Sequence, residues 1–199
     1  MLFRSPETAP VVGIVARLFA WKGHADLVNA IATVRETVPD VYLVIVGEDD
    51  PRAHGGKSYR AELETQIAAL GLQKVVHFAG FRTDTPQVFA ALDVYAMPTW
   101  EEPWGMVFLE AATMRKPCVA YRSGGVPEAV ADGVTGFLVA PKDVAALSSR
   151  ITELLTNAPL RERMGNAARD RVLRDFSPAR MCENVVSVYR ETLSKGAAA

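Results

Sequence analysis

Two glutamates, Glu102 and Glu110, flank a glycine, Gly105, that opens an apolar helical run, MVFLEAA. The surrounding stretch, MPTWEEPWGMVFLEAATMRKPCVAYRSGGVPEAV, covers residues 97–130. The free N–H groups of a helix start bind anions, and the helix dipole favours negative charge there. Carboxylates would repel such an anion, so they fit better as acceptors for hydroxyls on either side of it. A sugar, a diphosphate and a ribose present that pattern together. The plain alternatives are a capping carboxylate for Glu102 and an exposed helix residue for Glu110. The neighbours of Glu110 are apolar on both sides, so it faces out of a mostly buried helix, where a carboxylate needs a partner.

A pair of cations follows the first apolar run. Arg17 and Lys22 lie in GIVARLFAWKG, residues 13–23. In an open α/β sheet, ligands bind outside the carboxyl ends of the strands, which is where this loop falls. Arginine offers a bidentate fork to phosphate oxygens and lysine a compact charge, a combination suited to a diphosphate. Two solvated loop cations are the alternative. The loop is not G-x-G-x-x-G, since Gly13 is followed by no second glycine until Gly23. That absence counts against a dinucleotide-binding domain.

These segments carry a resemblance. Glu102-x7-Glu110 within PTWEEPWGMVFLEA is similar to the Glu-x7-Glu signature of retaining GT-B glycosyltransferases of group 1, which include glycogen and sucrose synthases. GIVARLFAWKG resembles their G-x-x-x-R-(x)4-K-G segment. GGVPEAVADGVTGFLV, residues 124–139, resembles their G-G-x-P-E…G-x-x-G-x-L-V run. The three stand in the family's order.

The resemblance implies a nucleotide-diphosphate sugar (UDP, GDP or ADP) as the substrate bound, with no metal and no resident cofactor. Glu102 would contact hydroxyls of the transferred sugar and Glu110 the ribose diol. Backbone N–H groups of Gly105, Met106 and Val107 would meet phosphate or sugar. Arg17 and Lys22 would stabilise the departing diphosphate during front-face transfer with retention, which is electrostatic catalysis. The base would lie near the HFAGFRTD loop, with Phe81 and Arg82 as its candidate contacts; packing and a solvated arginine are the alternatives there. VIVGEDD, residues 44–50, suggests the metal-holding D-x-D of GT-A enzymes, but those lack the other motifs, and a solvated acidic loop is the better reading. Trp21, Trp100 and Trp104 are expected mostly to pack, Trp104 beside the family's sugar site.

The elements positioning these residues follow from apolar, β-branched runs alternating with helical patterns, the mark of βαβ units around a parallel sheet. Strands are expected over 11–16, 42–46, 75–78, 94–97, 118–121 and 137–139. Helices are expected near 24–37, 59–70, 86–92, 106–114, 127–131 and 144–155, then over 160–175 and after Ser177, with Pro178 in its first turn. Gly71 ends one helix and Asp143 caps another. The polar loop over 48–58 is expected to be mobile, and the tail over 196–199 frayed. The fold class is thus α/β, a Rossmann-like parallel sheet flanked by helices. It corresponds to the C-terminal, donor-binding half of a GT-B fold, with a core over 11–157 and C-terminal helices over 160–195.

In 199 residues no counterpart of the family's N-terminal acceptor half is expected. That half supplies acceptor contacts, a glycine-rich loop and a histidine near the reacting sugar. The apolar face of the last helix (Met181, Val185, Val188, Tyr189, Leu193) must then pack locally, find another chain by self-association, or stay exposed. The chain is expected to be inactive alone. Competing readings are a non-catalytic sugar-nucleotide sensor and half of a GT-B epimerase; no lysine context suits a pyridoxal-phosphate phosphorylase.

A net charge of −1 gives no reason to expect nucleic-acid binding. His24, His54 and His77 lack ligand spacing for zinc, and Cys118 and Cys182 suggest no disulfide framework. No apolar run is long enough to span a membrane, no signal peptide is evident, and a cytoplasmic location is expected.

Overall fold

The computed structural model describes residues 9–50 and 55–196. Residues 51–54 of the long polar loop and 197–199 of the tail, where mobility and fraying were expected, lie outside the described residues. Six strands form one wholly parallel sheet: β1 (Val11–Val15), β2 (Tyr42–Val46), β3 (Val76–Gly80), β4 (Val94–Met97), β5 (Cys118–Tyr121) and β6 (Gly136–Val139). Their order across the sheet is β3-β2-β1-β4-β5-β6. The chain first builds outward from β1 in one direction, then returns to lay β4 on its other side. That reversal creates a crevice between β1 and β4 at the carboxyl edge, where ligands of open α/β sheets bind.

The strands read as continuous apolar runs because helices cover the sheet. Ile14, Leu43 and Ile45 have no exposed surface; each contributes roughly 1.5–3 kcal/mol by burial. The helices are α1 (His24–Thr37), α2 (Tyr59–Ala69), α3 (Thr85–Ala90), α4 (Met106–Thr113), α5 (Val126–Ala129), α6 (Val144–Thr156), α7 (Ala158–Asp175) and α8 (Pro178–Gly196). α1 buries Leu27, Ile31 and Val34 at helical spacing and lies against α6, whose Leu147, Ile151 and Leu154 are buried in turn. α4 packs on α7.

Local chemistry sets the ends. Asp143 accepts from the Ala146 N–H at 2.8 Å to cap α6, and Gly71 follows α2 at φ 67°. Ser177 Oγ accepts from the Arg180 N–H at 3.3 Å, with Pro178 first in α8. The structure departs from expectation at several boundaries. α7 begins at Ala158 rather than 160, because Asn157 caps it by accepting from the Leu160 N–H at 3.0 Å. β3 runs on to Gly80 through a register shift against β2 between Ile45 and Val46. A 3-10 turn, Ala20–Lys22, precedes α1.

Along α8 the apolar face finds no local packing: Met181, Val188, Tyr189 and Leu193 are all exposed, Leu193 at 73%. Among the described residues no helix is long and apolar enough to cross a membrane. Cys118 is buried, with its thiol pushed up by that burial, and Cys182 is exposed on α8.

Candidate functional site at the carboxyl edge of the sheet

Beyond β1 the chain stays laced to its neighbour. The Ala16 N–H bonds Val46 O at 2.9 Å and the Leu18 N–H bonds Glu48 O at 3.0 Å. This leaves Arg17 exposed, its guanidinium 4.7 Å from the Phe19 ring centroid. The 3-10 turn then carries Trp21 and Lys22 to Gly23, which sits at φ 80° with its backbone on Pro98; a Cβ there would fall 1.9 Å from Pro98 O. Only glycine permits both the left-handed backbone and that approach. The first motif is thereby pressed against the end of β4. The Trp100 N–H and Thr99 hydroxyl both donate to Trp21 O, at 2.8 and 3.2 Å.

The third motif closes on the second from the other side. Gly124, at φ 50°, lies so near the loop after β4 that a Cβ would stand 2.0 Å from Glu102 O. The Gly125 N–H donates to that same oxygen at 2.9 Å, and Ser123 Oγ donates to Trp100 O at 2.5 Å. Three segments far apart in sequence thus interlock through backbone contacts.

At their meeting point Lys22 Nζ donates to Glu102 Oε2 at 2.6 Å, the two side chains only 14% and 9% exposed. The ammonium is also 4.1 Å from the Trp21 ring centroid. Glu101, which lacks the seven-residue spacing to Glu110, is exposed. Gly105 opens α4 without a side-chain cap, so the helix start presents backbone N–H groups at Met106 and Val107. Met106 is exposed and Val107 half-buried. Glu110 is exposed between buried Leu109 and Ala111, and partial burial raises its carboxyl above the ordinary carboxylate range.

Two recesses open along this edge. One of about 700 Å³ is lined by Arg17, Gly47, Asp50, Phe81, Arg82 and Thr85 among others. The other, of about 530 Å³, is lined by Trp21, Trp100, Glu101, Glu102, Ser123 and Gly124 among others. Both fall within the roughly 300–1,000 Å³ usual for small-molecule sites. The Phe81 ring is 64% exposed. Arg82 is engaged by Asp84 through two bonds, at 2.7 and 2.5 Å, which hold that carboxyl below its ordinary value. In the acidic loop, Asp49 accepts from Ser58 Oγ at 2.7 Å and from the Arg60 N–H at 3.1 Å, fastening the loop to α2. Among the described residues no cluster of three or more His, Cys, Asp or Glu could hold a metal ion.

Arg17 therefore lines the larger recess, while Lys22 is drawn to Glu102 beside the smaller. Trp104 packs, its ring 5.9 Å from Phe176. Trp100 packs against the core and Trp21 stacks on Phe19, as expected, and both also line the recess that contains Glu102. Sequence reasoning missed that lining role; the available signal was one tryptophan immediately before the motif lysine and another two residues before the motif glutamate.

An open parallel sheet in this strand order is a Rossmann-like half, and cations after β1 with a carboxylate after β4 fit the GT-B glycosyltransferases that the motifs resemble. The match to known proteins agrees. Residues 3–171 fit the model of glycosyl transferases group 1, and the chain belongs to that family. A D-inositol 3-phosphate glycosyltransferase of Stackebrandtia nassauensis is 32% identical over 198 residues, covering 96% of this chain and 44% of the relative. The chain spans about half the length of the curated relatives it matches. Anabaena Alr3699/HepE in complex with UDP and glucose superposes with a TM-score of 0.82 at 34% identity, over 94% of this chain and 48% of that one. The C-terminal domain of the group 1 protein LpcC from Francisella tularensis gives 0.77 at 26%, over 86% and 90%.

Proposed function

We propose that the chain binds the nucleoside-diphosphate sugar donor for a retaining glycosyl transfer, and that it works with a second, acceptor-binding half. The observation carrying this reading is the Lys22–Glu102 contact of 2.6 Å across the β1/β4 crevice, beside the start of α4. The similarity to a relative whose structure contains UDP and glucose supports it. In this reading the diphosphate meets Arg17, Lys22 and the N–H groups of Met106 and Val107, and no resident cofactor takes part. Glu110 accepts from the ribose hydroxyls, and Phe81, with its exposed ring, lies against the base. An arriving diphosphate competes with Glu102 for the Lys22 ammonium, which releases the carboxylate toward the hydroxyls of the sugar. As the donor bond breaks, Arg17 and Lys22 hold the growing charge on the leaving phosphate. Two free thiols fit a reducing, cytoplasmic compartment.

A thermal-shift panel of UDP, GDP, ADP and inorganic phosphate on the purified chain tests the reading and names the base. A ligand at a hundredfold excess over its dissociation constant adds about 2.7 kcal/mol of stability. Arg17→Ala should weaken the preferred diphosphate by about 1.5–3 kcal/mol and its nucleoside far less. Glu110→Gln should lose more affinity for the ribonucleotide than for its 2′-deoxy analogue. Equal losses for diphosphate and nucleoside would remove Arg17 from the phosphate site, and equal losses for the two sugars would make Glu110 structural.

A further inference from the structure

Asp26 belongs to none of the three motifs, yet its carboxylate joins the elements that carry them. From the first turn of α1, Oδ2 accepts from the Trp100 indole N–H at 2.9 Å and from the Tyr121 hydroxyl at 3.0 Å. Trp100 lies in the loop between β4 and Glu102, and Tyr121 ends β5. Burial, and next the Asp26 charge itself, keep the Tyr121 hydroxyl protonated, so it remains a donor. The other side of the indole system is also held. The Lys142 ammonium lies 4.7 Å from the Trp100 ring centroid, reached from a backbone at φ 64°. Backbone bonds to Trp21 O and from Ser123 Oγ fix the Trp100 main chain. These contacts hold the indole on its N–H edge and on one face, as a wall of the recess that contains Glu102.

We infer that Asp26 is a positioning residue for the sugar moiety of the donor, acting through Trp100 to hold the aromatic wall beside Glu102. The inference rests on the donor-binding reading above. A flat indole beside a buried carboxylate presents an apolar face to ring C–H groups and acceptors to hydroxyls, a pairing that suits a hexose and adds nothing for a bare diphosphate. The simpler role for an acidic residue in the first turn of α1 is to complement the helix dipole. That role explains neither of the two side-chain donors converging on one oxygen, and it would not distinguish one ligand from another.

The test compares wild type, Asp26→Asn, Trp100→Phe and the double variant. Trp100→Phe removes the N–H donor together with the second ring of the indole and keeps Asp26 at the helix start, so it covers the case in which Asp26→Asn fails to fold. Each protein is titrated with UDP and UDP-glucose, GDP and GDP-mannose, and ADP and ADP-glucose. Exchange of the Trp100 indole proton is followed by NMR in the proteins that carry it. The expected result is a preference for the sugar nucleotide over its own diphosphate that falls at least fivefold in each single variant and no further in the double. Diphosphate affinity should stay within about twofold, and indole exchange should accelerate in Asp26→Asn. Losses that add in the double variant, or that strike both ligands alike, would overturn the inference while leaving donor binding in place. A wild-type chain that binds none of the six nucleotides would overturn the proposed function and the sugar role together.

Discussion

Lys22 and Glu102 neutralise each other with little water around either side chain. Removing one partner of such a pair leaves an uncompensated buried charge, which costs roughly 3–5 kcal/mol. Lys22→Met should therefore lower unfolding free energy by about 3 kcal/mol, and adding Glu102→Gln should recover part of that loss. Urea denaturation of the two variants checks this; equal destabilisation would mean that Glu102 does not feel its partner. Glu102→Gln alone should leave UDP affinity unchanged or improved, because Lys22 is freed, while the preference for a sugar nucleotide falls. The adjacent His24 is wholly buried, and its pKa is lowered from 6.5 to about 4 by that burial, against the opposing pull of backbone groups of Phe19 and Ala16. Between those values the unfolded chain binds the extra proton. The contribution is complete above pH 6.5 and is lost as pH falls through about 4, a change of about 3 kcal/mol. Denaturation at pH 7.5 and 4.5 should show wild type losing more stability than His24→Leu, and parallel losses would contradict it. At this scale the motif residues stood out through three ordered segments that resemble the family's, where spacing alone left solvated cations and a capping carboxylate open. Asp26 and Trp100 did not, because the contacts that join Asp26 to Trp100 and Tyr121 link residues 74 and 95 positions apart.

Among the elements, the strands of the sheet were readable because burial on both faces leaves nearly unbroken apolar runs. Boundaries shifted where a polar side chain or an irregular pairing outweighed the apolar pattern, as Asn157 does for α7 and the register shift does for β3. The amphipathic pattern of α8 was equally plain in Met181, Val188, Tyr189 and Leu193. Periodicity could not say what the apolar face touches, and here it is exposed. An exposed apolar stripe of this kind is a candidate contact surface. The isolated chain should self-associate with rising concentration through α8, and Val188→Glu with Leu193→Glu should leave it monomeric. Sedimentation velocity across a hundredfold concentration range decides this. Association that survives the double substitution would assign the contact to another surface.

For the molecule as a whole, the strand order brings the loops that follow β1, β4 and β5 to the carboxyl edge of one sheet, and the reversal between β1 and β4 brings a cation loop and a carboxylate loop face to face. Sequence order alone could not show that interlock, which depends on Gly23 resting on Pro98 and Gly124 on the Glu102 backbone. We propose that this half supplies binding and leaving-group stabilisation and that transfer needs the acceptor half. The purified chain should thus bind donor yet turn over labelled sugar nucleotide at a negligible rate. The most direct test of the central claim, a donor site at the carboxyl edge, is amide chemical-shift mapping of the chain titrated with the diphosphate chosen by the thermal-shift panel. The account predicts saturable changes at Arg17, Lys22, Phe81, Met106, Val107 and Glu110, with the amino edge of the sheet undisturbed. Saturable changes centred elsewhere, or none with UDP, GDP or ADP at millimolar concentration, would contradict it.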